Sequence, residues 1–148
     1  MKRALILLIP IVFVAACNNA DKNASSLSTI NPALKDSANF TTIEWLDSVH
    51  RDLGKITDGE QLEVSFRFKN NGNKPLVITG VHASCGCTVP EMPKEPFAPG
   101  AEGFIKAKFN SSGHTGTNRK EIYVNANTSP NTLHQLEFTV EVDKKTGG

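Results

Sequence analysis

The sequence predicts an all-β protein: an antiparallel sandwich of about seven short strands. Three observations carry this expectation. Apolar and polar residues alternate strictly in several segments, clusters of Asn, Gly and Pro separate those segments, and no segment repeats its apolar residues at a convincing helical period. Short strands with turn signals between them, and no internal repeat, read as a sandwich, with a closed barrel as the alternative.

Along the chain, Thr41 to Leu46 reads as a first strand with Ile43 and Trp45 on one face. Leu53-Gly54-Lys55-Ile56 is a short apolar element ended by Asp58-Gly59. The clearest segment is Gln61 to Lys69, where Leu62, Val64, Phe66 and Phe68 alternate with Glu63, Ser65, Arg67 and Lys69. A period of two places one face against a core and the other in water. Asn70-Asn71-Gly72-Asn73 supplies residues that tolerate positive φ and reads as a turn.

Leu76 to Val81 reads as the next strand, with Cys85-Gly86-Cys87 beyond its end. Glu91 to Gly100 contains Pro93, Pro96 and Pro99, which lack backbone donors, so it is a loop or a sheet edge. Phe104 to Phe109 alternates again, and Arg119 to Asn125 forms a strand around Ile122 and Val124 after the polar turn Ser111 to Asn118. After a turn at Asn127 to Asn131, Leu136, Phe138, Val140 and Val142 alternate with Glu137, Thr139 and Glu141 in a last strand.

The N-terminus carries an address. Met1-Lys2-Arg3 precedes an uncharged apolar run from Ala4 to Ala16, and Cys17 follows. A basic start, a short apolar run and a small-residue exit make the layout of a secretory signal peptide, too short to cross a bilayer as a helix. Val14-Ala15-Ala16-Cys17 resembles a bacterial lipobox, which implies cleavage before Cys17 and lipidation of its sulfur, with a further acyl chain such as palmitate on its amine. Two or more acyl chains give a stable anchor. Asn18, in place of an aspartate, favours the outer membrane.

The expected organisation is therefore residues 1–16 as signal peptide with the lipobox at 14–17, and residues 17–40 as a lipidated N-terminus and flexible tether. Residues 41–143 form the sandwich domain and residues 144–148 a C-terminal tail. Cleavage removes Lys2 and Arg3, so 16 basic residues become 14 against 15 acidic ones, a net charge near −1. With no basic stripe, nucleic-acid binding is not indicated. Asp36-Ser37-Ala38 and Asp47-Ser48-Val49 match a short O-glycosylation pattern used on exported bacterial proteins.

With Cys17 assigned to lipid, Cys85 and Cys87 are left to each other. On a regular strand such residues stand about 6.6 Å apart, too far for a disulfide, whose Cβ atoms lie about 3.5–4.5 Å apart. Gly86 is expected to permit a backbone that folds the pair together. Three readings stay open: a disulfide or thiol pair with a redox role, a soft-metal site for Cu(I) with His82 and Met92, or two structural residues with a packing role only. His82 faces away from Cys85 on a regular strand, and no second cysteine pair of the zinc-binding kind is present. His50, His114 and His134 share no motif with a serine or carboxylate, and Asp58 and Glu60 read as solvated turn residues. Gly113 and Gly116 do not form a phosphate-binding loop. No catalytic residue, cofactor beyond the lipid on Cys17, or resident metal is expected.

Asp52-Leu53-Gly54-Lys55-Ile56, Phe66-Arg67-Phe68-Lys69-Asn70-Asn71-Gly72, Ser84-Cys85-Gly86-Cys87-Thr88, Pro99-Gly100, Phe109-Asn110 and Tyr123-Val124-Asn125-Ala126-Asn127 follow one another in a fixed order. That order resembles a bacterial family known as a domain of unknown function (number 1573), whose members are commonly exported lipoproteins. The resemblance covers roughly Asp52 to Val142. It implies an immunoglobulin-like sandwich of the Hydin and major-sperm-protein type, modules that mostly bind proteins or build structure. The implied role is a non-enzymatic interaction or structural module anchored in the cell envelope, with the membrane and an envelope protein as partners. A thiol-redox or Cu(I)-handling lipoprotein using Cys85 and Cys87 is the alternative.

Overall fold

A computed structural model describes residues 37–146. The expected signal peptide, Cys17 and the tether as far as residue 36 lie outside the described residues. Among the described residues no helix is long and apolar enough to cross a membrane.

After a 3-10 turn at Ser37–Asn39 come eight strands: β1 (Ile43–Trp45), β2 (His50–Thr57), β3 (Gln61–Asn70), β4 (Ile78–Ala83), β5 (Thr88–Glu91), β6 (Glu102–Asn110), β7 (Gly116–Ala126) and β8 (Leu133–Asp143). They form two four-stranded sheets, ordered β1-β3-β6-β5 and β2-β8-β7-β4. The alternation read from the sequence becomes the core. Val64, Phe66, Phe68, Ile105 and Phe109 from the first sheet meet Ile122, Val124, Leu136, Phe138 and Val140 from the second, all essentially fully buried. Each such side chain contributes about 1.5–3 kcal/mol relative to exposure.

The predicted sandwich is present, with three differences. The first is direction: β2 pairs with β8 in parallel, with a register shift between Asp52 and Lys55, whereas an antiparallel arrangement throughout is what the sequence suggests. The cause is a change of sheet. β1 pairs antiparallel with β3, the chain crosses over through Leu46 to Val49, and β2 continues in the same direction beside the last strand. The second is strand count, because β5 forms where no strand is predicted. It carries Pro90, which suits only an edge. The third is a boundary: β4 begins at Ile78, while Leu76 makes an isolated bridge to Phe97.

The two ends of the sandwich are unlike. The chain enters beside the C-terminal end of β3, where Thr41 meets Asn70. The cysteine turn lies at the opposite end, where Cys87 O accepts from Asn110 N and Asn110 pairs with Gln61 at the start of β3. Ten residues of β3 separate the entry end from the far end by about 30 Å.

Candidate functional site

Between β4 and β5 the backbone leaves strand geometry while both flanks stay tied down. Ser84 N donates to Glu121 O at 3.0 Å, Thr88 N donates to Cys85 O at 3.3 Å, and Asn110 N donates to Cys87 O at 2.9 Å. Within this turn a disulfide joins Cys85 and Cys87, with Cα atoms 5.4 Å apart. Both cysteines are half-buried, Cys87 packs against the core, and Gly86 is exposed. Thr88 is buried, and its Oγ1 lies 3.6 Å from Cys85 Sγ. A disulfide sulfur carries no proton, so the hydroxyl is the only donor in that contact.

Gly86 departs from expectation. Its φ lies outside the left-handed region, and a Cβ built there meets nothing within 4 Å. Neither backbone conformation nor crowding requires glycine. Beside it a cleft of about 360 Å³ is lined by Gly86, Cys87, Val89, Lys108 and Phe109, among others.

The other residues of the soft-metal reading lie elsewhere. His82 projects from β4 and stacks on Tyr123, with ring centroids 5.2 Å apart and planes 21° from parallel. Tyr123 OH donates to Glu121 Oε2 at 2.5 Å, and this bond to a carboxylate holds the phenol above the ordinary tyrosine pKa. Met92 follows β5 on the other sheet and lines a separate groove. The structure thus brings Cys85 and Cys87 together but sets His82 and Met92 on different sheets. Among the described residues, no group of three or more His, Cys, Asp or Glu side chains is placed to share a metal ion.

Most other residues of the recurring pattern are absorbed by packing. Asn70 is fully buried, and its Oδ1 accepts from Thr41 Oγ1 (2.8 Å) and Gly72 N (3.2 Å). Its Nδ2 donates to Lys74 O (2.7 Å) and Phe97 O (2.9 Å). A Cβ at Gly72 would stand 2.1 Å from Thr41 Oγ1 and 2.6 Å from Thr42 N, so the Asn-x-Gly turn presses on the entering chain. Asn127 acts likewise, accepting from Val77 N (2.7 Å) and donating to Asn39 O (2.8 Å) and Pro75 O (3.0 Å). Asp52 Oδ1 accepts from Gly54 N at the β2 irregularity, and Asn110 Oδ1 accepts from Ser112 N. At the far end, Asp58 Oδ1 accepts from Gly113 N at 2.7 Å, a turn-pinning role.

The two asparagine hubs were not singled out from the sequence. For Asn70 a signal exists: it continues the inward parity of Val64, Phe66 and Phe68. A polar residue at a core-facing position has to find partners.

His134 is half-buried, 2.7 Å from Thr128 Oγ1 through Nε2, and edge-on to Trp45 at 5.9 Å. Burial lowers its pKa from the ordinary 6.5, against a smaller opposing effect of a backbone hydrogen bond at Asn131. The unfolded chain therefore takes up the proton first as pH falls. Stability present above about pH 6.5 declines as pH drops from there toward the folded-state pKa. Thermal unfolding at pH 7.5 and 5.5 is expected to show a larger fall for the native chain than for His134→Gln. Equal falls would remove His134 as the cause.

The exposed large apolar residues are uneven. Val89 (62%), Met92 (51%) and Phe104 (50%) lie on or beside β5 and β6, and Leu133 (52%) lies apart on β8. Met92, Phe97 and Phe104 line a groove of about 330 Å³ together with Pro93 and Gly103. Ion pairs Lys106–Glu63 (3.9 Å) and Lys108–Glu91 (3.4 Å) lie between Val89 and Phe104 on the same outer face.

Comparison with known proteins adds relatives of the same kind. The family described as "Protein of unknown function (DUF1573)" matches residues 43–142. No curated protein matches the chain. Among solved structures, a protein of unknown function from Porphyromonas gingivalis W83 superimposes with a TM-score of 0.62 at 19% identity, over 76% of this chain and 51% of that one. The chain thus spans about half the length of that relative. The human CEP192 ASH/PapD-like domain 7 gives a TM-score of 0.51 at 13% identity, over 84% of this chain and 99% of that domain. The YadV chaperone gives 0.51 at 15% identity, over 72% and 54%. At these identities the likeness shows a shared PapD-like, immunoglobulin-like sandwich.

Proposed function

The chain belongs to the DUF1573 family, and from that premise we propose that it is an exported lipoprotein acting as a non-catalytic protein-interaction module of the cell envelope. In this reading Cys17 carries the lipid and the domain stands off the outer membrane on the periplasmic side. The observation that carries the interaction role is the exposed pair Met92 and Phe104 at one groove beside β5 and β6, with Glu91 and Lys106 at its margin. An apolar centre with a charged rim is the composition of a specific interface.

The face, rather than the sheet edge, is the contact surface. The bond from Asn110 N to Cys87 O sets the alternation of the β5–β6 ladder, so Pro90 directs its backbone to the free edge. A residue without an N–H there blunts β5 against strand addition.

Photo-crosslinking in intact cells tests both halves. A crosslinker replacing Phe104 is expected to give a discrete adduct, whereas one replacing Thr139, on the opposite sheet, is not. Equal adducts or none would overturn the interaction reading. In the same cells Cys17→Ser is expected to lose acyl labelling and membrane retention. Retention of both would overturn the anchor.

A further inference from the structure

We propose that the Cys85–Cys87 disulfide is a thiol-exchange site, open to the thiolate of a small thiol or of an exported dithiol protein. The turn is distinct from the groove at Met92 and Phe104, although Val89 and Lys108 of the same sheet line the cleft beside it.

The disulfide is not what holds this turn in the fold. The ends of β4 and β5 are already held by backbone bonds from Ser84 to Glu121 and from Asn110 to Cys87. The disulfide closes a loop of only three residues, and so short a closure constrains the unfolded chain little. Elsewhere in the family pattern Asn70, Gly72 and Asn127 serve packing, and Gly54 and Gly100 take positive φ. In this turn Gly86 is exposed, uncrowded and free of any left-handed requirement. What a missing side chain provides here is an approach to sulfur.

The surroundings suit exchange. The cleft reaches Cys87, and Lys108 lines it too, its ammonium pairing with Glu91 at 3.4 Å. On the other side, the buried Thr88 hydroxyl is aimed at Cys85 Sγ. Attack therefore falls on Cys87 Sγ. The S–S bond breaks, its electron pair leaves on Cys85 Sγ, and Thr88 Oγ1–H donates to the new thiolate. A second thiol of the incoming molecule then attacks its own sulfur in the mixed disulfide and releases Cys87 as thiolate. The incoming dithiol loses two electrons and two protons to become a disulfide, and Cys85 and Cys87 gain them. For a monothiol, two molecules take the two steps.

The test uses the full chain under native conditions, with millimolar reduced glutathione in one arm and a two-cysteine peptide in the other. Alkylation and mass spectrometry follow the thiols. Exchange with either probe is expected, and a faster peptide arm marks a protein source for the thiol. Thr88→Val is expected to slow reduction about three- to tenfold, through the leaving thiolate. With oxidised glutathione, Cys85→Ser is expected to form a mixed disulfide on Cys87 about tenfold faster than Cys87→Ser does on Cys85. A disulfide that resists both probes until denaturant is added would overturn the proposal. So would equal reactivity of the two single-cysteine variants.

Discussion

Asn70→Ala is expected to be among the most damaging single substitutions in the domain. The side chain is fully buried and makes four hydrogen bonds, to Thr41, Gly72, Lys74 and Phe97. Three separate segments meet on it: the entering chain, the β3–β4 turn and the loop before β6. Truncation strands the Thr41 hydroxyl, the Gly72 amide and the Lys74 carbonyl, while Phe97 O keeps its bond from Leu76 N, and each buried group left unpaired costs about 1–3 kcal/mol. Some regain water, so the net loss is about 2–4 kcal/mol, or roughly 10–25 °C in Tm for a domain of this size. Asn70→Asp keeps the acceptor but loses both donors and buries a charge, so it is expected to give no rescue. Denaturant unfolding of both variants measures this. A cost below about 1 kcal/mol for Asn70→Ala would show that the hub is dispensable.

Gly103→Ala is expected to destabilise for a different reason. Phe97 folds back over β6 and meets Phe68 edge-on, with ring centroids 4.9 Å apart. That is feasible because residue 103 has no side chain: a Cβ there would stand 2.4 Å from Phe97 Cε1 and 2.7 Å from Phe68 Cζ. Phe68 is fully buried and cannot retreat, so Phe97 has to leave its place. Overpacking of this kind costs about 1–3 kcal/mol. The same groove loses its floor, which links the substitution to the proposed interaction face. A double-mutant cycle isolates the cause. In a Phe97→Ala background the added methyl group is expected to cost clearly less, and an unchanged cost would refute the displacement of Phe97.

These two positions show how much of the fold was legible. The inward faces of β3, β6 and β8 could be read directly, because an alternation of apolar residues records which side of a strand meets the core. Asn70 stands in that same inward row, and its parity is visible, but its partners include residues 41 and 97, far along the chain. β5 was illegible because Pro90 removes a donor and so counts against a strand. The structure tolerates it by placing β5 at an edge. The cysteine turn was legible as a feature but not as a state, since two residues apart is too far on a strand and close enough in a turn.

By itself, the sequence determined the all-β class, the positions of most strands and the faces they bury, since these follow from local alternation and turn chemistry. Only the tertiary structure decided strand direction, sheet order and the meeting of distant groups. The parallel pairing of β2 with β8, the asparagine hubs, the seat of Phe97 over Gly103 and the joined sulfurs at the far end are all of that kind. The physical reason is that periodicity reports how each strand meets solvent, whereas pairing and hydrogen-bond partnership are settled between segments far apart in the chain, by packing both sheets at once.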